Sequence, residues 1–220
     1  MALQNVEQAR LNMIEQQIRP WDVSDEAVLS LLELVKREDF VPLAYQSLAF
    51  ADMSIPLPGG QVMLPPRIQA RLLQDAAIGP NDKALHVGAG TGFMTALMAH
   101  LAQRVIALEI NAELVAMARG NLQKANLHNV EVRQADAAAG ALPDAPFDVI
   151  VLGGSVVELP RLLLDQLKVG GRLVGIVGTE PIMHSVVCQR TSEQHFKTTE
   201  RWDDNAPALL NFPQPERFRF

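Results

Sequence analysis

Cysteine is almost missing from this chain: Cys188 is alone among 220 residues, so no intrachain disulfide can form, and a reducing, cytoplasmic setting fits best. Basic runs are missing as well. Nineteen Lys and Arg stand against twenty-five Asp and Glu, a net charge of −6, and no stretch concentrates the positive ones. That excludes the usual electrostatic footprint of a nucleic-acid binder. The opening twenty residues, Met1 to Pro20, alternate polar and apolar side chains without an unbroken apolar centre, unlike a secretory signal. Only one charge-free run reaches membrane-span length, the twenty residues between Lys83 and Arg104. It contains Gly88, Gly90 and Gly92, which would break a helix at its start, and it reads as strand, turn and helix. No membrane partner is expected. The histidines at 86, 100, 128, 184 and 195 show no metal-ligand spacing with carboxylates or thiols, so no metal is expected either.

What is present is ordinary globular material. The chain is 48% hydrophobic and 20% charged, which excludes disorder as the main state, and it is long enough to bury one full core. Val6 to Ile18 predict a helix stopped by Pro20. Ser24 predicts the N-cap of a second helix, with Asp25 and Glu26 favoured by its dipole and Val28, Leu31, Leu32 and Val35 on its inner face. From Phe40 to Pro66 five prolines and the pair Gly59–Gly60 predict a long irregular segment, either a functional loop or a surface linker.

Arg67 onward alternates. Strands are expected at 84–87, 105–109, 130–133, 148–152 and 172–177, with helices between them, one at 94–102 and another carrying Val115, Ala118, Leu122 and Ala125. Such alternation predicts a doubly wound α/β fold, a mostly parallel sheet covered on both faces. Val186–Arg190 and His195–Thr199 predict an antiparallel pair at the end. The expected organisation is a single domain: helices and an irregular segment over 1–66, an α/β core over 67–200, and a tail over 201–220. Three of the eight phenylalanines fall in the last ten residues, with Pro213 and Pro215 between them, so the tail is expected to dock rather than to expose its rings.

In an open parallel sheet a ligand sits beyond the carboxyl ends of the strands. The first strand-to-helix turn here reads LHVGAGTGF, so Gly88, Gly90 and Gly92 permit close backbone approach and the following helix offers amide donors. The dinucleotide fingerprint wants its third glycine one place later, where Phe93 stands. Glu109 ends the second strand of the series, where an acid can accept both hydroxyls of a ribose. Asp136 ends the third, where an acid can accept an exocyclic adenine amine and Ala137 leaves room for the ring. Three elements in register on successive strands are far more specific than any one alone. Ser155 lies in no nucleophile-elbow pattern and reads as structural, and Cys188 reads as core.

This order of glycine turn, acid and acid resembles the class I S-adenosylmethionine methyltransferases. The text around it, from MIEQQIRPWDVSDEAVLSLLELVKREDFVP through AFADMSIPLPGGQVMLPPRIQA to APFDVIVLGGSVVELPRLLLDQLKVGGRLVGIVG, resembles one family among them, the protein-L-isoaspartate O-methyltransferases, over roughly residues 13 to 178. The resemblance implies a methyltransferase of the cytoplasm that acts on isoaspartyl carboxylates of damaged proteins or peptides, with S-adenosylmethionine as cofactor. It implies a cofactor set of His86, Gly88, Gly90, Gly92, Glu109, Ile110, Asp136, Ala137 and Gly153. It also implies a substrate set of Asp52, Pro56, Gln61, Val62 and Leu64, with Gln61 and Leu64 nearest the chemistry. A carboxylate, with a pKa of about 4, is ionised at neutral pH, so such a transfer needs no general base.

Two departures from the family pattern stand out. His86 replaces the acid that helps to hold the methionine amino group, and an imidazole titrating near neutrality would weaken cofactor binding at low pH. Val62 and Leu64 replace two hydroxyl residues of the substrate segment, so low activity is expected, raised by Leu64→Ser. Two alternatives stay open: another methyl acceptor, or a homologue that binds the cofactor without turning it over. Gly153, Gly154, Ser155 and Val156 after the fourth strand argue against an amino acceptor on a base.

Overall fold

A computed structural model describes residues 2–214, with side chains from residue 5 onward. Pro215, Phe218 and Phe220 of the expected docking tail lie outside the described residues. The chain opens with α1 (Ala2–Met13), which runs into a π-helical turn over Ile14–Ile18 and a 3₁₀ turn over Arg19–Trp21 containing Pro20. The wider turn keeps Ile14 and Ile18 both fully buried, and Pro20, lacking an N–H, then ends the helix. The cap of α2 (Glu26–Leu34) is Asp25 rather than the expected Ser24. Ala27 N donates to the Asp25 side chain at 2.8 Å, while Ser24 N donates to Gln74 Oε1 at 2.8 Å. A glutamine fifty residues away has taken the role that local chemistry left open.

The proline-rich segment is no surface linker. Short 3₁₀ turns lead to β1 (Ile55–Pro56) and β2 (Val62–Met63), an antiparallel pair in which Ile55 faces Met63 and Pro56 faces Val62. Val41, Ala49, Ile55, Leu57, Met63 and Leu64 are buried from it into the main core. The segment therefore contributes hydrophobic stabilisation of its own, on the order of 1.5–3 kcal/mol for each large side chain.

Seven strands make the central sheet: β3 (Lys83–Val87), β4 (Arg104–Glu109), β5 (Val130–Gln134), β6 (Phe147–Val156), β7 (Leu167–Thr179), β8 (Ile182–Arg190) and β9 (Phe196–Asp203), in spatial order β5-β4-β3-β6-β7-β8-β9. The first five positions are parallel, and β7, β8 and β9 are antiparallel neighbours. The expected terminal pair is thus present, and β8 also closes on β7. Strand alternation sorts the core into two layers: Ala84, Val105, Ala107, Val149 and Val151 face one side, and Leu85, Val87, Ile106, Leu108, Ile150 and Leu152 the other. The first side is covered by α3 (Pro66–Ala76), α4 (Phe93–Leu101) and α5 (Ala112–Lys124). In α5 Val115, Ala118 and Leu122 are buried as expected, whereas Ala125 is exposed because the helix has ended before it. The second side is thinner, closed by the four-residue α6 (Arg161–Leu164), the loop after β5 and the chain end at Phe212. Cys188 is buried in that second layer.

Candidate active site

The chemistry gathers where β3, β4, β5 and β6 end. Gly88 (φ 84°) leaves β3 with its N–H and that of Ala89 donating to Leu108 O, which folds the turn back over β4. The end of β6 comes so close that a Cβ on Gly153 would stand 2.4 Å from Gly88 O, so these two glycines are needed where they are. Gly92 does something else. It caps α4 at φ 90°, and a Cβ there would meet Ala118 at 3.3 Å, so it serves helix packing and lines neither cavity of the site.

Glu109 is buried at the end of β4. Gly90 N donates to its Oε2 at 2.8 Å and Asn111 N to its Oε1 at 3.0 Å. Each carboxylate oxygen retains a second lone pair for a ligand hydroxyl. Asp136 follows β5. Ala138 N donates to its Oδ1 at 2.9 Å, and Asn211 Nδ2 donates to its Oδ2 at 2.7 Å. These two acids, with Gly88, Ile110, Ala137, Gln61, Leu209 and Phe212, surround a cavity of about 50 Å³.

A second cavity, of about 30 Å³, meets the first at Gly88 and is walled by Val62, Leu64, Gln69, His86, Phe93 and Gly153, among others. His86 is 1% exposed; its Nδ1 shares a 2.8 Å hydrogen bond with Thr95 Oγ1, and its Nε2 has no partner among the described residues. Burial pushes the imidazole down to about 4, so it is neutral at every ordinary pH. With the ring neutral above about pH 4, the structure gives no basis for the expected loss of cofactor affinity just below neutrality.

The substrate set divides. Val62 and Leu64 line the second cavity, and Gln61 lines the first, with its amide donating weakly to Gly59 O at 3.4 Å. Asp52 and Pro56 line neither. Asp52 is held by Arg67 Nε at 2.9 Å, and Pro56 is exposed on β1. Ser155 is structural, as expected: its Oγ donates to Ala206 O at 2.7 Å, and its backbone pairs with Pro207 and Leu209.

The chain end escaped sequence reasoning as part of the site. Leu209 lies over Gly88 and Gly154, Asn211 reaches Asp136, and Phe212 is buried. The cluster of phenylalanines signalled docking, but nothing local signalled where. Gln69, Thr95 and Arg37 were missed because they are polar residues on helices whose inward aim only packing decides.

The model of the protein-L-isoaspartate(D-aspartate) O-methyltransferase family matches residues 8–203. A protein-L-isoaspartate O-methyltransferase of Koribacter versatilis is 40% identical over 86% of this chain and 85% of its own length. One from Methanoculleus marisnigri is 37% identical over 77% of each. Among solved structures, a Plasmodium falciparum protein described as a putative protein-L-isoaspartate O-methyltransferase in complex with S-adenosyl-L-homocysteine shares the fold, with a TM-score of 0.77 at 20% identity over 90% of this chain and 96% of that one. The chain belongs to the protein-L-isoaspartate(D-aspartate) O-methyltransferase family.

Proposed function

We propose that this protein transfers a methyl group from S-adenosylmethionine to the carboxylate of L-isoaspartyl residues in proteins or peptides. The observation that carries this reading is the convergence of Gly88, Glu109 and Asp136, from three successive strand ends, round one cavity that shares Gly88 as a wall with a second. The residues present suit the cofactor. Glu109 would accept the ribose hydroxyls and Asp136 the adenine amine, beside the small Ala137. Gly88 and Gly153 form a cradle that any Cβ would fill, and the unpartnered His86 Nε2 offers a polar contact for the methionine end. When bound, S-adenosylmethionine supplies an electrophilic methyl carbon.

The protein's own part is alignment and exclusion of water. Leu64, Met63, Phe93 and Met94 are each buried to 5% exposure or less, so the second cavity presents an apolar wall. His86, the one titratable side chain lining it among the described residues, is held to a weakly basic imidazole by burial, and an acceptor already ionised requires no base. No helix of the described residues is long and apolar enough to cross a membrane. Cytoplasmic action is part of the proposal and is supported by the lone buried thiol of Cys188. Labelled-methyl transfer to an isoaspartyl peptide, beside its aspartyl twin, tests the reading. Transfer to the isoaspartyl form alone is expected; transfer to both or to neither would overturn the substrate.

A further inference from the structure

The second cavity has no acid among its lining residues, and with His86 neutral it carries no charge of its own. Directly behind its wall lies a cation. Arg37 is 0% exposed, the largest fully buried side chain among the described residues. Its Nε donates to Ala49 O at 3.0 Å, its Nη2 to Leu64 O at 2.8 Å and its Nη1 to Gln69 Oε1, while the guanidinium lies 5.1 Å over the Phe93 ring. Leu64, Gln69 and Phe93 all line the cavity. All three hydrogen-bond acceptors are neutral. The carboxylate that acts on Arg37 through space, Asp52, is held by Arg67.

A buried guanidinium without an ion-pair partner is costly to fold, and its field is screened little by solvent. Burial brings it down only to about 9, so at neutral pH it keeps its charge. Arg37 also has a directional effect. A guanidinium only donates, so it fixes the Gln69 amide with oxygen toward itself and leaves the NH2 end to donate. Gln69 sits on α3 a little beyond the substrate segment, where Val62 and Leu64 offer no hydroxyl.

We propose that Arg37 is a positioning residue for the substrate carboxylate: it gives a neutral, largely apolar cavity a positive potential and turns the Gln69 amide into the donor that Val62 and Leu64 cannot supply. This rests on the isoaspartyl reading given above. The requirement for an anionic acceptor then comes from a residue that never touches it.

Gln69→Glu separates this from a purely structural role, because a carboxylate at 69 would pair with Arg37 and hold the fold while cancelling both the field and the donor. For Gln69→Glu the proposal expects KM for an isoaspartyl peptide to rise about tenfold or more, with kcat changed less. Calorimetry of the same peptide on protein saturated with S-adenosylhomocysteine should show a matching rise in Kd. Affinity for S-adenosylhomocysteine itself should hold. Unchanged KM and peptide Kd in a folded Gln69→Glu protein would overturn it. If that variant fails to fold, Gln69→Met, which removes the donor alone, takes the same measurement: a KM raised several-fold supports the proposal and an unchanged KM overturns it. A wild type that binds S-adenosylhomocysteine yet methylates no isoaspartyl peptide would instead overturn the functional reading, so the two failures are distinguishable.

Discussion

Two side chains at the strand ends make separate, measurable contributions. Glu109 organises the turn through Gly90 N and Asn111 N and, in the proposed function, accepts the ribose. A charge-assisted contact of this kind contributes about 1.5–3 kcal/mol. Glu109→Ala should therefore weaken S-adenosylhomocysteine binding about tenfold or more by calorimetry; equal affinity would remove the assignment. His86 acts through its neutrality. Its imidazole titrates near 6.5 when unfolded and at about 4 when buried, so the unfolded chain takes up a proton that the native state refuses. The native state is fully favoured above pH 6.5 and loses ground as pH falls toward 4, by on the order of 3 kcal/mol in all. His86→Gln should flatten the fall in Tm across that window relative to wild type. Parallel curves would show that the ring is not buried as described. Because no other titratable group lines its cavity, cofactor affinity should stay level between pH 5.5 and 8.

Among the elements, the substrate segment couples stability to chemistry most directly. Leu64 is 5% exposed, belongs to the main core and still lines the second cavity, with its carbonyl bound to Arg37. Leu64→Ser should lower stability by roughly 2–5 kcal/mol, as truncation of a buried leucine does. It should also restore a hydroxyl beside the acceptor, raising kcat/KM on an isoaspartyl peptide by roughly tenfold. Side-by-side kinetics and melting curves check both directions at once, and a fall in kcat/KM would show that the substrate is held elsewhere. At this scale much was legible. The glycine turn, the acids at 109 and 136 and the strand series could be read from residue spacing, because strand and helix periods are local properties. The cap of α2 was not, since Gln74 intervenes from α3.

For the molecule as a whole, the chain end is the feature that crosses from fold to function. Pro207, Leu209 and Ala206 pair with Ser155 at the end of β6, Asn211 ties down Asp136, and Phe212 seals the thinner face of the sheet. Leu209, Leu210 and Phe212 of this tail line the same cavity as Glu109 and Asp136, so in the proposed function the adenosine would pack directly against it. Deleting residues 206–220 should lower Tm by about 5 °C or more, from loss of the buried phenylalanine and its neighbours. It should also speed both association and dissociation of S-adenosylhomocysteine in stopped-flow measurements. Unchanged Tm and unchanged rates together would refute the docking described here.

By itself the sequence determined the α/β alternation, the place of the glycine turn, the family and the two acids beyond it. Each of these depends on residues near one another in the chain and on periods of two and 3.6 that the backbone imposes. Only the tertiary structure decided that Gly92 packs helices, that His86 is buried and neutral, that Arg37 lies behind the substrate wall, and that the last strand returns its tail across the cofactor cleft. Those facts depend on desolvation and on contacts between residues far apart in the chain, such as Gly92 with Ala118, Arg37 with Gln69 and Asn211 with Asp136. Burial fixes which side chain keeps its charge, and burial exists only once the layers have closed.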